Sequence, residues 1–287
     1  SITISYANGG GIDLVASGSI RSGAIAAYLE LRDKSLVQAQ TQVDQLAAAM
    51  ASALSDKTTG GTAAASGAQT GFDLDLSGLQ SGNIIHLTYT DTITNTQHNL
   101  SIVRVDDPSV LPLKDDATVD PNDKVIGIDF SGGMGSVLTQ LNAALGGAGL
   151  QFSNPSGSTL RVLDDGAAGL ADVNAASVTT TTTSLTSGGP ELPLFTDGGY
   201  PYSGTITAYG AQQTGLAGRI TVNSALLADP SRLIVYGAST PAGDTTRSDF
   251  ILKQLTSTSY SYSSSTGIGS ATSPYKGTLL GFTQQFT

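Results

Sequence analysis

The chain has 287 residues, enough to bury a sizeable core and, by length, to form about two bodies of ordinary domain size. Only 13% of residues are charged, and a formal net charge of −10 with no run of Lys or Arg argues against nucleic acid or an anionic membrane as a partner. Cysteine is absent, which removes disulfides, thiolate metal sites and cysteine nucleophiles, and no apolar run approaches the ~18 residues that span a bilayer.

In chain order, Ser1–Tyr6 alternates Ile2 and Ile4 with polar neighbours, Asn8–Gly11 supplies a turn, and Ile12–Val15 predicts a second strand. Next comes the most informative segment, Gly23–Leu54, free of internal Gly and Pro. Ile25, Leu29, Leu36, Val43, Leu46 and Met50, with Ala39 and Ala53, recur at three and four on one narrow stripe, an a/d seam interrupted in charge only by Arg32. At ~1.5 Å per residue such a helix is roughly 48 Å long. Its Gln, Asp and Lys positions are expected to face solvent, and its seam to lie against other helices.

From Thr58 to Gly67 the Thr/Ala/Ser/Gly composition predicts a linker. Beyond it, strands are expected at Phe72–Leu76, Ile84–Thr90, His98–Val105, Lys124–Phe130, Thr159–Leu163 and Val173–Thr183, with a helix over Met134–Leu145 stopped by Gly146 and Gly147. Gly188, Gly189 and Pro190 mark a second break. After it, strands are expected at Thr205–Tyr209, Ile220–Val222 and Leu233–Tyr236. A short helix capped by Asn223, a helix capped by Ser248 through Leu255, and a strand carrying Tyr260 and Tyr262 complete the set. Gly277–Thr287 predicts the first turns of a helix without a stop signal. The strand-like start and this unstopped end predict an internal fragment, monomeric in isolation.

The expected fold is α+β. One long α-helix packs with short β-strands in a discontinuous proximal domain, residues 1–66 and 188–287, which carries an inserted β-rich α+β outer domain over residues 67–187.

Ser22–Ser55 (SGAIAAYLELRDKSLVQAQTQVDQLAAAMASALS) resembles the long helix of the flagellar hook-associated protein 1 family (FlgK, the hook–filament junction proteins). Gly215–Val222 (GLAGRITV), Asn223–Leu233 (NSALLADPSRL) and Gly243–Leu255 (GDTTRSDFILKQL) are similar, in the same order, to that family's second signature region. The resemblance implies a secreted, non-enzymatic structural subunit without cofactors, exported by the flagellar type III apparatus. It implies an extracellular place on the bacterial flagellum and a role in motility. Partners would be the hook protein, the second junction protein and copies of itself in a ring. The family's terminal helical regions find no counterpart apart from the onset at Gly277.

Other constellations offer rival chemistry. Asp106/Asp107, Asp115/Asp116 and Asp164/Asp165 are paired carboxylates, and Asp115, Asp116, Asp120, Asn122 and Asp123 form the densest oxygen cluster, but the spacing fails the EF-hand pattern. His86 and His98 are the only histidines, and a hairpin turning near Asp91–Thr96 would pair His86 with a residue near Ser101, so the two need not meet. Ser131–Gly135 is a Gly-rich strand-to-helix turn lacking the P-loop Lys, and no G-x-S-x-G elbow supports a secreted hydrolase. Tyr200, Tyr202, Tyr209, Tyr260, Tyr262 and Tyr275 suggest the alternative of an extracellular adhesin or glycan-binding domain.

Overall fold

The computed structural model describes residues 2–286. Strands β1 (Thr3–Ser5) and β2 (Gly11–Asp13) form an antiparallel hairpin whose Ile2, Ile4, Tyr6 and Ile12 stay exposed. Helix α1 (Gly23–Glu30) runs through a π-turn at Leu31–Ser35 into α2 (Leu36–Ser55), so the expected rod is one helix with a widened turn inside it. At its end Asp56 switches to extended backbone and the Ser55 hydroxyl donates back to the Ala51 carbonyl.

The stretch expected as a linker is instead two strands, β3 (Asp56–Gly60) and β4 (Thr62–Ser66). Both are mostly exposed edge strands, so Thr, Ala and Gly suffice there and composition alone carries no strand signal. Gly61, between them, lies so close to Phe72, Leu74 and the Ala176 carbonyl that a Cβ would crowd all three.

Next in the chain are β5 (Gln69–Asp75), β6 (Ile84–Asp91), β7 (Thr96–Val105), β8 (Lys124–Asp129), α3 (Gly133–Leu145), β9 (Gln151–Ser153), β10 (Thr159–Leu163) and β11 (Ala171–Thr181). They form a five-stranded sheet, β3-β11-β6-β7-β8, and a four-stranded sheet, β4-β5-β10-β9, antiparallel except for the parallel pair β7-β8. Period-2 alternation sends Ile85, Leu87, Leu100 and Ile102 into one apolar core with Leu74, Leu160 and the inner face of α3, Val137, Leu141 and Leu145. The β6-β7 register pairs His86 with Ser101.

The last third wraps α2 with short pieces. These are β12 (Phe195–Asp197), β13 (Ile206–Thr207), β14 (Gly210–Ala211), β15 (Ile220–Val222), α4 (Ser224–Ala228), α5 (Thr246–Thr256), β16 (Tyr260–Tyr262), β17 (Gly269–Ser270), β18 (Ser273–Gly277) and α6 (Leu279–Thr283). The Asn223 side chain caps α4 by accepting from the Ala225 amide, as expected. No strand forms at Leu233–Tyr236, because Asp229 and Pro230 start a 3₁₀ turn over Pro230–Leu233 and the Ile234 and Val235 amides after it donate back to the Ser231 carbonyl. Helix α5 begins before Ser248, with Asp244 accepting from the Thr246 amide. The helix expected from Gly277 is confined to α6, capped by Thr278 and packed by Phe282 on Tyr262 with ring centroids 3.6 Å apart. The fold is α+β: one long helix with many strands in several sheets.

Candidate assembly surface

The face of α2 that meets its own protein is polar and small, against the expectation that its Gln and Asp positions are solvated. Gln42, Asp44 and Gln45 are 6%, 4% and 7% exposed. Asp44 accepts from the backbone amides of Gly215 (2.7 Å) and Ala217 (2.8 Å), so its charge caps the turn Leu216–Gly218 within the GLAG motif. Gln38 and Gln42 both donate to the Thr266 carbonyl at 3.1 and 3.0 Å. Between these anchors Ala47, Ala48 and Ala51 admit Tyr202 and Leu216 to close packing. Gln38, Gln42 and Gln45 recur at i, i+4 and i+7, the spacing that marked the apolar seam, so a face-by-face reading of the polar residues carries the signal.

That arrangement leaves the seam turned outward over much of its length. Ile25 is 53% exposed, Leu36 57% and Val43 37%, while Leu29, Leu46 and Met50 are half-buried. The seam is not one straight stripe. A π-turn adds about one residue to the winding, so the downstream positions are rotated by roughly 100° relative to an unbroken α-helix. Ile25 and Leu29 therefore form one facet, and Leu36, Val43, Leu46 and Met50 a second. Arg32, the charge in the seam, sits in that turn and pairs with Asp33 at 2.6 Å.

Two ionisable groups hold the surroundings of α2, Arg247 buried and Asp56 half-buried. Arg247 is fully buried and donates to the carbonyls of Leu185 (2.9 Å), Arg232 (2.8 Å), Gly189 (2.8 Å) and Glu191 (3.2 Å), with its guanidinium over the Tyr236 ring. Burial pushes its pKa down from the ordinary value, and Glu191 and Tyr236 oppose that shift. Asp56, at the helix end, accepts from the hydroxyl of Thr181 at 2.9 Å, and Thr181 is in turn held by Asn83. Burial raises the Asp56 pKa to about 6 against the lowering effect of Thr181, Ser52 and Ser55, and burial likewise raises the Tyr202 phenol. The sequence reading singled out neither Asp56 nor Arg247.

The remaining candidates are dispersed. His86 and His98 do not meet, and His98 stacks on Tyr89 with centroids 5.0 Å apart. Asp106 pairs with Arg104, Asp115 with Lys124, and Asp123 accepts from Thr118, while Asp107, Asp164 and Asp165 accept from neighbouring backbone amides. Among the described residues no group of three or more His, Asp or Glu side chains is placed to hold a metal ion. In the Gly-rich turn, the Ser131 amide donates to Asp129 and the Gly133 amide to the Phe130 carbonyl. Of the six tyrosines, Tyr200 and Tyr209 are exposed, Tyr202 and Tyr262 are buried in separate clusters, and Tyr260 and Tyr275 are half-buried.

With the helix, its polar inner face and its outward apolar facets in place, the likeness of the N-terminal segment has a structural meaning. Residues 1–74 match the family model of the flagellar hook-associated protein FlgK helical domain. That segment is FlgK-like, and it contains every residue of the seam, the π-turn, Asp44 and Asp56. No curated protein and no solved structure matches the chain. Among the described residues no helix is long and apolar enough to cross a membrane.

Proposed function

We propose that the chain is a structural, non-enzymatic part of a flagellar hook-associated subunit at the hook–filament junction, linking hook to filament outside the cell. The supporting observation is the FlgK helical-domain match over residues 1–74, which falls on a helix whose own body is gripped through Asp44 and the glutamines while Ile25, Leu36 and Val43 remain outward. Apolar facets left over by internal packing suit helices of neighbouring axial subunits: the hook protein, the second junction protein and copies of this chain in a ring. In this reading the proximal body, expected over residues 1–66 and 188–287, ends at residue 55 on its first part, because β3 and β4 pair into the two sheets, and the outer body carried on it runs from residue 56 to 187. Export through the flagellar type III channel, which favours chains able to pass unfolded, accords with the absence of cysteine.

The test is genetic and structural together. Removing the coding segment from its native gene is expected to leave cells with hooks and no filaments by electron microscopy, and full-length filaments on such cells would refute the assignment.

A further inference from the structure

The outer face of the five-stranded sheet carries a polar stretch on β6 and β7, beside the buried Val103, Val105 and Val125, and that stretch lines open space shared with α2. Along β6 and β7, Ile85, Leu87, Leu100 and Ile102 point into the core, so His86, Thr88, Asn99 and Ser101 point the other way, with register pairs His86–Ser101 and Thr88–Asn99. A sheet face covered by a helix is ordinarily apolar and closely packed. Here the helix presents Ala48, Ala49, Ser52 and Ala53 toward it, and these small side chains do not fill the gap. The result is a cleft of about 950 Å³, walled at its ends by the Ala117–Asp123 loop and by the segments around Ser203 and Tyr260. That volume is at the upper end of the ~300–1,000 Å³ range of small-molecule sites.

The cleft is also braced at one end. There the Asn83–Thr181–Asp56 chain joins sheet to helix, and in the two residues before Asn83 the Ser81 carbonyl accepts from Ser203 while Gly82 lies so close to Ser203–Thr205 that a Cβ would overlap backbone.

The lining sets the ligand class. Among the described residues no Lys or Arg lines the cleft, and Asp56, Asp120 and Asp123 do, so an anion is repelled. An apolar ligand would strand Asn99, Gln254, Ser101 and His86 without water or partners. The three carboxylates each accept a hydrogen bond already, from Thr181, the Asn122 amide and Thr118, and they share the polar lining with amides, hydroxyls and the His86 imidazole. His86 keeps contact with solvent in the cleft, yet the surrounding protein lowers its pKa, with Asp123 and Asp120 opposing, so near neutral pH the ring is an uncharged donor and acceptor. Groups that both donate and accept match a ligand whose groups do the same.

We propose that this cleft binds a short neutral oligosaccharide, held by Asn99, His86 and Gln254 between the sheet and α2. The site goes beyond the assembly role and stands or falls separately from it.

Titration calorimetry and amide chemical-shift mapping on the intact chain test it, using maltotetraose, cellotetraose and triacetylchitotriose as neutral probes and spermidine as a cationic one. At least one neutral saccharide is expected to bind and to shift amides of β6, β7 and α2. Two variants localise the effect: Ala49→Trp, which fills the void from the helix side, and Asn99→Ala on an exposed position. Each is expected to weaken binding by roughly tenfold, the scale of one or two hydrogen bonds, with unchanged thermal unfolding for Asn99→Ala. No binding by any neutral probe, binding untouched by both variants, or spermidine alone occupying the cleft would each overturn the proposal.

Discussion

The two-sheet body and the body around α2 are held together differently. The first has a single apolar core running from Leu74 through Ile85 and Ile102 to Leu141 and Leu160. The second has two small apolar clusters, around Tyr202 and around Leu192, joined by side chains that reach backbone groups: Arg247 to five carbonyls, Asp44 to two amides, Gln38 and Gln42 to one carbonyl. An apolar core loses stability in proportion to what is removed from it. A buried polar anchor fails in a step, because its partners are left desolvated and unpaired.

The sharpest way to break that contrast is Arg247→Leu set beside Leu141→Ala. The arginine variant is expected to lose about 3–5 kcal/mol, since the carbonyls of Leu185, Gly189, Glu191 and Arg232 lose their common donor. The leucine variant is expected to lose about 2–4 kcal/mol through the cavity it leaves. Hydrogen exchange separates them: Arg247→Leu should release protection near Gly189 and in α5 while β6 and β7 keep theirs, and Leu141→Ala should do the reverse. Uniform loss in both variants would mean one cooperative unit and no distinction between the bodies.

Where the two bodies join, Asp56 makes a smaller and opposite prediction. Its pKa is raised by burial from 3.8 to about 6, so the folded state binds its proton more tightly than the unfolded state. The stabilisation from that proton is complete below about pH 4, falls as pH rises towards 6, and is absent above. Asp56→Asn keeps an oxygen for the Thr181 hydroxyl and removes the ionisation, so it is expected to stabilise the chain by about 1–3 kcal/mol at pH 7.5 and by little at pH 4. Denaturant titrations of parent and variant at both pH values check this. Carboxylates with lowered pKa, such as Asp115 and Asp229, slope the other way and cancel in the difference. Equal effects at the two pH values would remove the claim of a buried, protonatable carboxyl.

The elements that sequence made legible are those whose side chains alternate or recur strongly. The β6-β7 hairpin was readable, with His86 expected near Ser101, because apolar residues at every second position fix which face is inward and the turn bounds the offset. Helix α3 and the Asn223 cap followed from equally local chemistry. Strands β3 and β4 were hidden because an exposed edge strand needs no apolar residues. The inner face of α2 was hidden for a related reason: hydrophobic periodicity finds the greasiest stripe, and in this helix the body grips the glutamines and Asp44. The π-turn has no compositional mark in LRDKS, and Arg247 looks like any helix-surface cation until the carbonyls converging on it are seen.

The outward facets of α2 give the smallest expected change in stability and the most direct separation of folding from assembly. Leu36 is 57% exposed, so Leu36→Asp removes little buried surface, and the expected cost to the isolated chain is within about 0.5 kcal/mol. If the facet of Leu36, Val43, Leu46 and Met50 seats a neighbouring helix, the same carboxylate enters an apolar contact in the assembled structure, where an unpaired charge is far more costly. The expected pattern is therefore unchanged denaturant unfolding together with loss of incorporation when full-length subunits carrying the substitution are supplied to cells. Gln42→Leu should show the converse, disturbing the internal contact with Thr266 while leaving the outer facet intact. A Leu36→Asp subunit that incorporates normally would place the assembly contact elsewhere on the molecule, whereas one that unfolds would mean that this facet is already covered by the chain itself.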